Sequence, residues 1–253
     1  MDIDGVGAVV TGGASGLGAG TARALAGRGA KVAVLDLNMD AARAMADEIG
    51  GIAVECNVSD AASAEAALQA AQAAHGPTGI AVNCAGIAPA KRIVGRDGPM
   101  PLDDFRKVIE VNLIGSFNIM RLAADQMTGR EPNADGERGV IISTASVAAF
   151  EGQIGQAAYA ASKGGVHALT LPAARDLARH GIRVLAIAPG LFGTPMLLGM
   201  PQNVQESLAA TLPFPQRFGT PAEYADLVLY MIGSPVMNGE TVRIDSAVRL
   251  APQ

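Results

Sequence analysis

Along the chain, short runs rich in Val and Ile alternate with longer Ala- and Leu-rich segments whose apolar residues recur at helical spacing. A parallel sheet demands this alternation, because each strand must be carried back to the same end of the sheet by a connection about a helix long. It predicts seven strands, over 6–10, 31–35, 52–56, 79–83, 139–143, 182–187 and 240–244, and helices over 17–27, 40–49, 61–74, 103–127, 156–179 and 221–232. Gly29, Gly76 and Gly181 mark helix ends. The expected architecture is α/β, a doubly wound parallel seven-stranded sheet in a single domain spanning 1–253. A chain that is 49% hydrophobic and only 17% charged suits a sheet buried on both faces and excludes disorder. The tract 61–74 is Ala-rich but reads as an ordinary packed helix. The stretches 87–101, 128–138 and 191–219 fit neither period. Ligands of open α/β sheets gather at the strands' carboxyl ends, so the first and third are the candidate functional loops.

A formal net charge of −5 gives no basis for binding nucleic acid or an anionic membrane, which leaves small molecules and copies of the same chain as expected partners. Cys56 and Cys84 are too few for a disulfide framework or a metal site and point to a reducing compartment. His75, His167 and His180 stand apart without metal-ligand spacing, so no metal is expected. The opening residues run directly into an apolar strand with no basic, apolar or Arg-rich leader pattern, and no run of about 18 apolar residues could span a bilayer. A soluble, cytoplasmic protein is the expectation.

The segment from Thr11 to Gly18, TGGASGLG, lies between a predicted strand and helix. Gly12, Gly16 and Gly18 would let the backbone approach a pyrophosphate, while Ser15 and Leu17 lie where the helix N-terminus presents its N–H groups and positive dipole. Asp36 ends the second strand at the distance where a carboxylate receives adenosine ribose hydroxyls, giving a Rossmann-type arrangement. That acid would repel a 2′-phosphate, and neither Leu37, Asn38 and Met39 nor the glycine turn supplies the base that NADP needs, so the cofactor is expected to be NAD. Asn83, Ala85 and Gly86, in NCAG at the end of the fourth strand, provide small residues against which the cofactor could lie.

Ser146 follows a buried strand, and Tyr159 begins a helix whose next turn carries Lys163. Four residues apart, Tyr159 and Lys163 share one helix face, where an ammonium would favour the phenolate of a proton-transferring tyrosine. Ser146 would hydrogen-bond the substrate oxygen while a carbinol hydride passes to the nicotinamide.

Taken together, TGGASGLG, Asp36, NCAG, Asn112 in VNL, Ser146, YAASK and APGLFGTPM resemble the short-chain dehydrogenase/reductase family over essentially the whole chain. The resemblance implies strand order 3-2-1-4-5-6-7, a homotetramer and a water held by Asn112 in a proton relay to Lys163. It places Asn57 and Val58 at the adenine, and Pro189, Gly190, Leu191 and Thr194 at the nicotinamide end. Within the family, STASVAAFEGQIGQAAYAASKGG, GLFGTPM and NGETVRID most resemble the type 2 3-hydroxyacyl-CoA dehydrogenases, also called type 10 17β-hydroxysteroid dehydrogenases. This implies interconversion of an (S)-3-hydroxyacyl-CoA and a 3-oxoacyl-CoA. Other alcohol or steroid dehydrogenases, a 3-oxoacyl-carrier-protein reductase, and a non-catalytic NAD-binding scaffold are the alternatives. Asn57 stands where the family usually has Asp, with its amide oxygen still able to accept a hydrogen bond, and Cys84 stands where it usually has Asn. The apolar loop 191–219 is read as a substrate lid, with packing against a neighbouring subunit as the alternative, and Gln153 as a polar substrate contact; Lys91, Arg92 and Arg96 read first as a solvated loop, with contact to CoA phosphates as the alternative.

Overall fold

The structure is a computed structural model that describes residues 1–252. Seven parallel strands form one sheet: β1 (Gly7–Thr11), β2 (Lys31–Asp36), β3 (Ile52–Glu55), β4 (Thr78–Asn83), β5 (Gly139–Thr144), β6 (Ile182–Pro189) and β7 (Thr241–Ile244), in the order 3-2-1-4-5-6-7. The order reverses between β1 and β4, the switch point where open sheets leave a crevice above the strand ends.

Side chains alternate across the sheet, as the two-residue period of a strand requires. Val10, Val34, Val82, Ile142 and Leu185 face a layer formed by helices α1 (Gly16–Ala26), α2 (Met39–Ile49) and, near the C-terminus, Pro221–Gly233. Their neighbours Val9, Leu35, Ala81, Ile141 and Val184 face α3 (Ala61–His75) and the helices Gly115–Thr128 and Ala157–Leu177. In α3, Ala64, Ala67, Leu68 and Ala71 are buried at helical spacing, and Asp60 caps the first turn by accepting the Ser63 N–H at 2.7 Å. The Ala-rich tract is therefore a well-packed helix.

The predicted elements recur with ends shifted by one or two residues, but three features lay outside the periodic pattern. The segment 103–127, expected as one helix, is α4 (Leu102–Ile109), a π-turn (Glu110–Ile114) and α5 (Gly115–Thr128). Such a turn inserts a residue into the helical register and often marks a functional position, and this one carries Asn112. After α6 (Ala157–Leu177), the loop 191–219 contains two short helices, α7 (Pro195–Leu198) and α8 (Gln202–Ala210), before α9 (Pro221–Gly233). Its buried Phe192 and Leu212 and its exposed Leu198, Met200 and Phe214 form no regular stripe, which is why their spacing does not read as helical. The loop 87–101 carries a small antiparallel ribbon joining Val94–Gly95 to Gly98–Pro99.

Behind β6, the buried Arg183 donates to Glu137 at 2.8 Å and to the carbonyls of Met231, Ile232, Ser234 and Met237 at 2.7–3.1 Å. One guanidinium thereby satisfies the carbonyls that the end of α9 leaves without helical partners. Among the described residues, no helix is long and apolar enough to cross a membrane.

Candidate active site

The glycine turn above β1 is shaped by close approach. A Cβ on Gly18 would be driven into the Gly12 carbonyl, and one on Gly12 would lie 2.9 Å from the backbone of Ala85. Gly16, at φ +51°, has Thr194 of the lid beside it. Ser15 occupies the N-cap of α1 without using its side chain to cap, so the exposed N–H groups of α1, which begins at Gly16 and Leu17, are available to an anion. Asp36 reaches the same turn from the end of β2, accepting the Ala14 N–H at 3.1 Å and the Asn38 N–H at 3.0 Å. The carboxylate thus holds the turn and borders the crevice. This donor set, with side chains excluded from the turn, fits the phosphates and adjoining sugar of a dinucleotide.

Some residues expected at the cofactor play other parts. The Asn83 side chain is buried, donating to the Ser116 carbonyl at 3.3 Å and to Ser143 Oγ at 3.2 Å; it bridges β5 and α5 instead of lining the cleft. Ala85 and Gly86 carry the backbone past the turn, with Thr11 Oγ1 accepting the Cys84 and Ala85 N–H groups at 3.2 Å. The Asn57 amide oxygen accepts the Ser59 N–H and Oγ, at 3.2 and 2.8 Å, within its own turn. Val58 turns its side chain against Gly115, so only its main chain can meet a ligand. Pro189 ends β6, Gly190 donates to the Ile244 carbonyl at 2.9 Å, and Leu191 accepts the Gly219 N–H at 2.9 Å, which sets the base of the lid over the crevice.

Ser146, Tyr159, Lys163 and Asn112 converge beyond the end of β5. Lys163 is buried, with its ammonium donating to the Thr144 carbonyl at 2.6 Å and standing 5.9 Å from the centroid of the Tyr159 ring. Burial without a carboxylate draws the lysine down to about 8. Burial also pushes the Tyr159 phenol above its ordinary value, opposed by a hydrogen bond from Ser146. The expected cationic depression of this phenol is therefore not the governing effect in the protein alone. A phenol protonated at neutral pH is the form that can donate to a ketone oxygen.

Asn112 is wholly buried at the π-turn. Its Oδ1 accepts the Ile87 N–H at 2.8 Å, and its Nδ2 donates to the Ile87 carbonyl and Ser162 Oγ at 2.9 and 3.0 Å. Ser162 in turn donates to the Tyr159 carbonyl at 2.7 Å. Asn112 thus ties the loop after β4 to the catalytic helix, and a Cβ on Gly86 would meet both Asn112 Oδ1 and Lys163 Nζ within 3.5 Å. The sequence pointed to Asn112 only through its VNL motif; the π-turn that presents it had no periodic signature.

Gln153 donates to the Ala251 carbonyl at 3.0 Å and pairs with Gln156. It lines a cavity of about 370 Å³ with Arg92, Ile93, Val94 and Ile154. Lys91 is committed to Asp104 at 2.5 Å, whereas Arg92 and Arg96 make no ion pair among the described residues. In the lid, Phe192 and Leu212 are buried while Leu198, Met200 and Phe214 are exposed. Among the described residues no group of three His, Cys, Asp or Glu is placed to hold a metal ion.

Burial drives the Cys56 thiol up to about 12 and raises that of Cys84. Neither should react appreciably with a thiol-specific disulfide reagent at pH 8 in the folded protein. Both should react in denaturant, and counting released chromophore before and after unfolding checks this.

The family model described as short chain dehydrogenase matches residues 7–205. The 3-hydroxyacyl-CoA dehydrogenase type-2 of Homo sapiens is 50% identical over 254 residues, covering 99% of this chain and 97% of that protein. The (3R)-3-hydroxyacyl-CoA dehydrogenase of Homo sapiens is 36% identical, covering 94% and 93%. The crystal structure of 3-hydroxyacyl-CoA dehydrogenase type-2 from Mycobacterium avium superposes with a TM-score of 0.94 at 43% identity, covering 98% of each chain. A seven-stranded sheet in the order 3-2-1-4-5-6-7, a glycine turn at its switch point and a serine, tyrosine and lysine gathered above β5 thus accompany full-length similarity, and the chain belongs to the short-chain dehydrogenase family of oxidoreductases.

Proposed function

We propose that the protein is an NAD-dependent dehydrogenase interconverting 3-hydroxyacyl-CoA and 3-oxoacyl-CoA, with Ser146, Tyr159 and Lys163 as its catalytic residues and Asn112 supporting them. The observation that carries this reading is the buried Lys163 ammonium, held by the Thr144 carbonyl at 2.6 Å, 5.9 Å from the centroid of the Tyr159 ring and close to Gly86 of the crevice. The substrate class is supported by the names of relatives matched along the whole chain.

NAD, when bound, supplies the hydride acceptor. Gly12, Ser15, Gly16, Leu17 and Gly18 would hold its phosphates, Asp36 its adenosine ribose, and the Val58 main chain with the Asn57 Nδ2, which makes no hydrogen bond among the described residues, its adenine. Ala85 and Gly86 would lie along it, and Pro189 to Leu191 with Thr194 would face its nicotinamide. Ser146 donates a hydrogen bond to the substrate oxygen, Tyr159 exchanges the proton with that oxygen, and the Lys163 charge steadies the phenol oxygen when it is deprotonated. The lid over 191–219 excludes water, and the cavity beside Gln153 is suited to the apolar part of an acyl chain. Arg92 and Arg96, the cations of this loop without an ion pair among the described residues, are the better candidates for CoA phosphates; Lys91 is not. Exposed Ile114, Phe117 and Leu171 support assembly into a homotetramer.

Oxidation of NADH with acetoacetyl-CoA is the direct test. Fast turnover with NADH and slow turnover with NADPH is expected. Absence of turnover with demonstrated NADH binding would turn the search to other secondary alcohols and steroids, and assaying both enantiomers of 3-hydroxybutyryl-CoA settles the stereochemistry.

Asp36→Ala removes the charge that repels a 2′-phosphate. The ratio of kcat/KM for NADPH to that for NADH should rise by about 100-fold, which corresponds to ~2.7 kcal/mol of relieved like-charge repulsion. Steady-state kinetics with both cofactors check this.

A further inference from the structure

Beneath the catalytic lysine lies a closed cluster that the reaction does not itself use. Tyr224 of α9 is 0% exposed, and its hydroxyl lies 2.7 Å from Thr144 Oγ1. Thr144 Oγ1 donates to Cys84 Sγ at 3.6 Å, and Cys84 Sγ lies 4.0 Å from the Tyr224 hydroxyl. With Tyr224 donating to Thr144, each O–H or S–H of the ring has an acceptor. A phenylalanine would fill nearly the same volume without desolvating a hydroxyl, so what distinguishes tyrosine here is its hydrogen bond to Thr144. The residues it joins are the ends of β5 and β4, and Thr144 supplies the carbonyl that receives the Lys163 ammonium.

Sheet pairing leaves that carbonyl half-anchored. The β5 strand pairs with β6 as far as Thr144 opposite Ile187, but its pairing with β4 stops at Ser143 opposite Asn83. On the β4 side, among the described residues, Thr144 is held by the Lys163 ammonium at its carbonyl and by the hydroxyl and thiol cluster at its side chain. We infer that Tyr224 is a positioning residue for Lys163, fixing through the Thr144 side chain the carbonyl that cradles the ammonium. This rests on the proposed catalytic role of Lys163.

The titratable groups facing Lys163 are Tyr159 on its own helix, Cys84 at the end of β4 and, through Thr144, Tyr224 of α9. Asn112 at the π-turn and the Thr144 carbonyl of β5 are neutral. No carboxylate is paired with the lysine among the described residues. A buried ammonium supported by dipoles alone loses its proton more readily when its acceptor shifts away.

The test follows the Lys163 Cε chemical shift through a pH titration in ¹³C-lysine-labelled protein, without substrate. Tyr224→Phe should lower the midpoint by about one unit. Thr144→Val, which removes the hydroxyl and keeps the carbonyl, should lower it equally, and the double variant should add nothing further. Midpoints within about 0.2 unit of the parent in both single variants would overturn the inference. Should Tyr224→Phe not fold, Thr144→Val and Cys84→Ala carry the same titration and decide the matter. In ketone reduction, Tyr224→Phe should lower kcat by about tenfold and move its alkaline limb to lower pH, while the KM for NADH stays within about twofold. Unchanged turnover in Lys163→Ala would sink the catalytic reading, whereas an unchanged titration in the Tyr224 and Thr144 variants sinks only the positioning role.

Discussion

Replacing Tyr159 with phenylalanine is expected to lower kcat by about 10³-fold, the middle of the range supplied by a positioned proton donor. The ring would still fill its place beside Lys163, and the glycine turn and Asp36 would be untouched, so NADH binding followed by fluorescence should stay within about twofold of the parent. Because the phenol is pushed above its ordinary value by burial, it is present as a donor throughout the neutral range. The deficit should therefore not be recovered by changing pH between about 6 and 8. Turnover within about tenfold of the parent would remove Tyr159 from the reaction.

Arg183→Met is expected to cause the largest loss of stability, about 4 kcal/mol, the range measured when one partner of a buried ion pair is deleted. Glu137 would lose its guanidinium, and the carbonyls of Met231, Ile232, Ser234 and Met237 would lose the donor that closes α9. The melting temperature should fall by roughly 10 °C for a domain of this size, and a fall of less than about 2 °C would show that water replaces the guanidinium without penalty. Cooperative unfolding followed by circular dichroism provides the measurement.

These two residues mark what could and could not be read from the sequence. Tyr159 was legible because its chemistry is local: it sits one turn before Lys163 on the same helix and soon after Ser146, which follows a buried strand. The strand order was legible through the resemblance, and the strands and main helices through their apolar periods. Arg183 sits within an apolar strand, and its partners come from the loop before β5 and the end of α9, contacts that no local period encodes. The Thr144 cradle and Tyr224 escaped for the same reason. For Asn83 and Asn57, which way the amide turns is decided by neighbours such as Ser116, Ser143 and Ser59, which no local spacing encodes. The opposing influences on Tyr159 also depend on burial, which the helix spacing does not reveal.

The parallel sheet has a consequence for how quickly the chain can acquire its fold. Gly7 pairs with Lys31, Ile80 with Val140 and Ala186 with Thr241, so no strand of the main sheet finds its partner through a hairpin. Every pairing has to close across at least one whole helix, with the entropy of that loop lost before the contact stabilises anything. A chain built this way folds slowly for its stability and leaves apolar strand edges uncovered during the search. Refolding yield should therefore fall steeply as protein concentration rises, even where the native state, once reached, is secure.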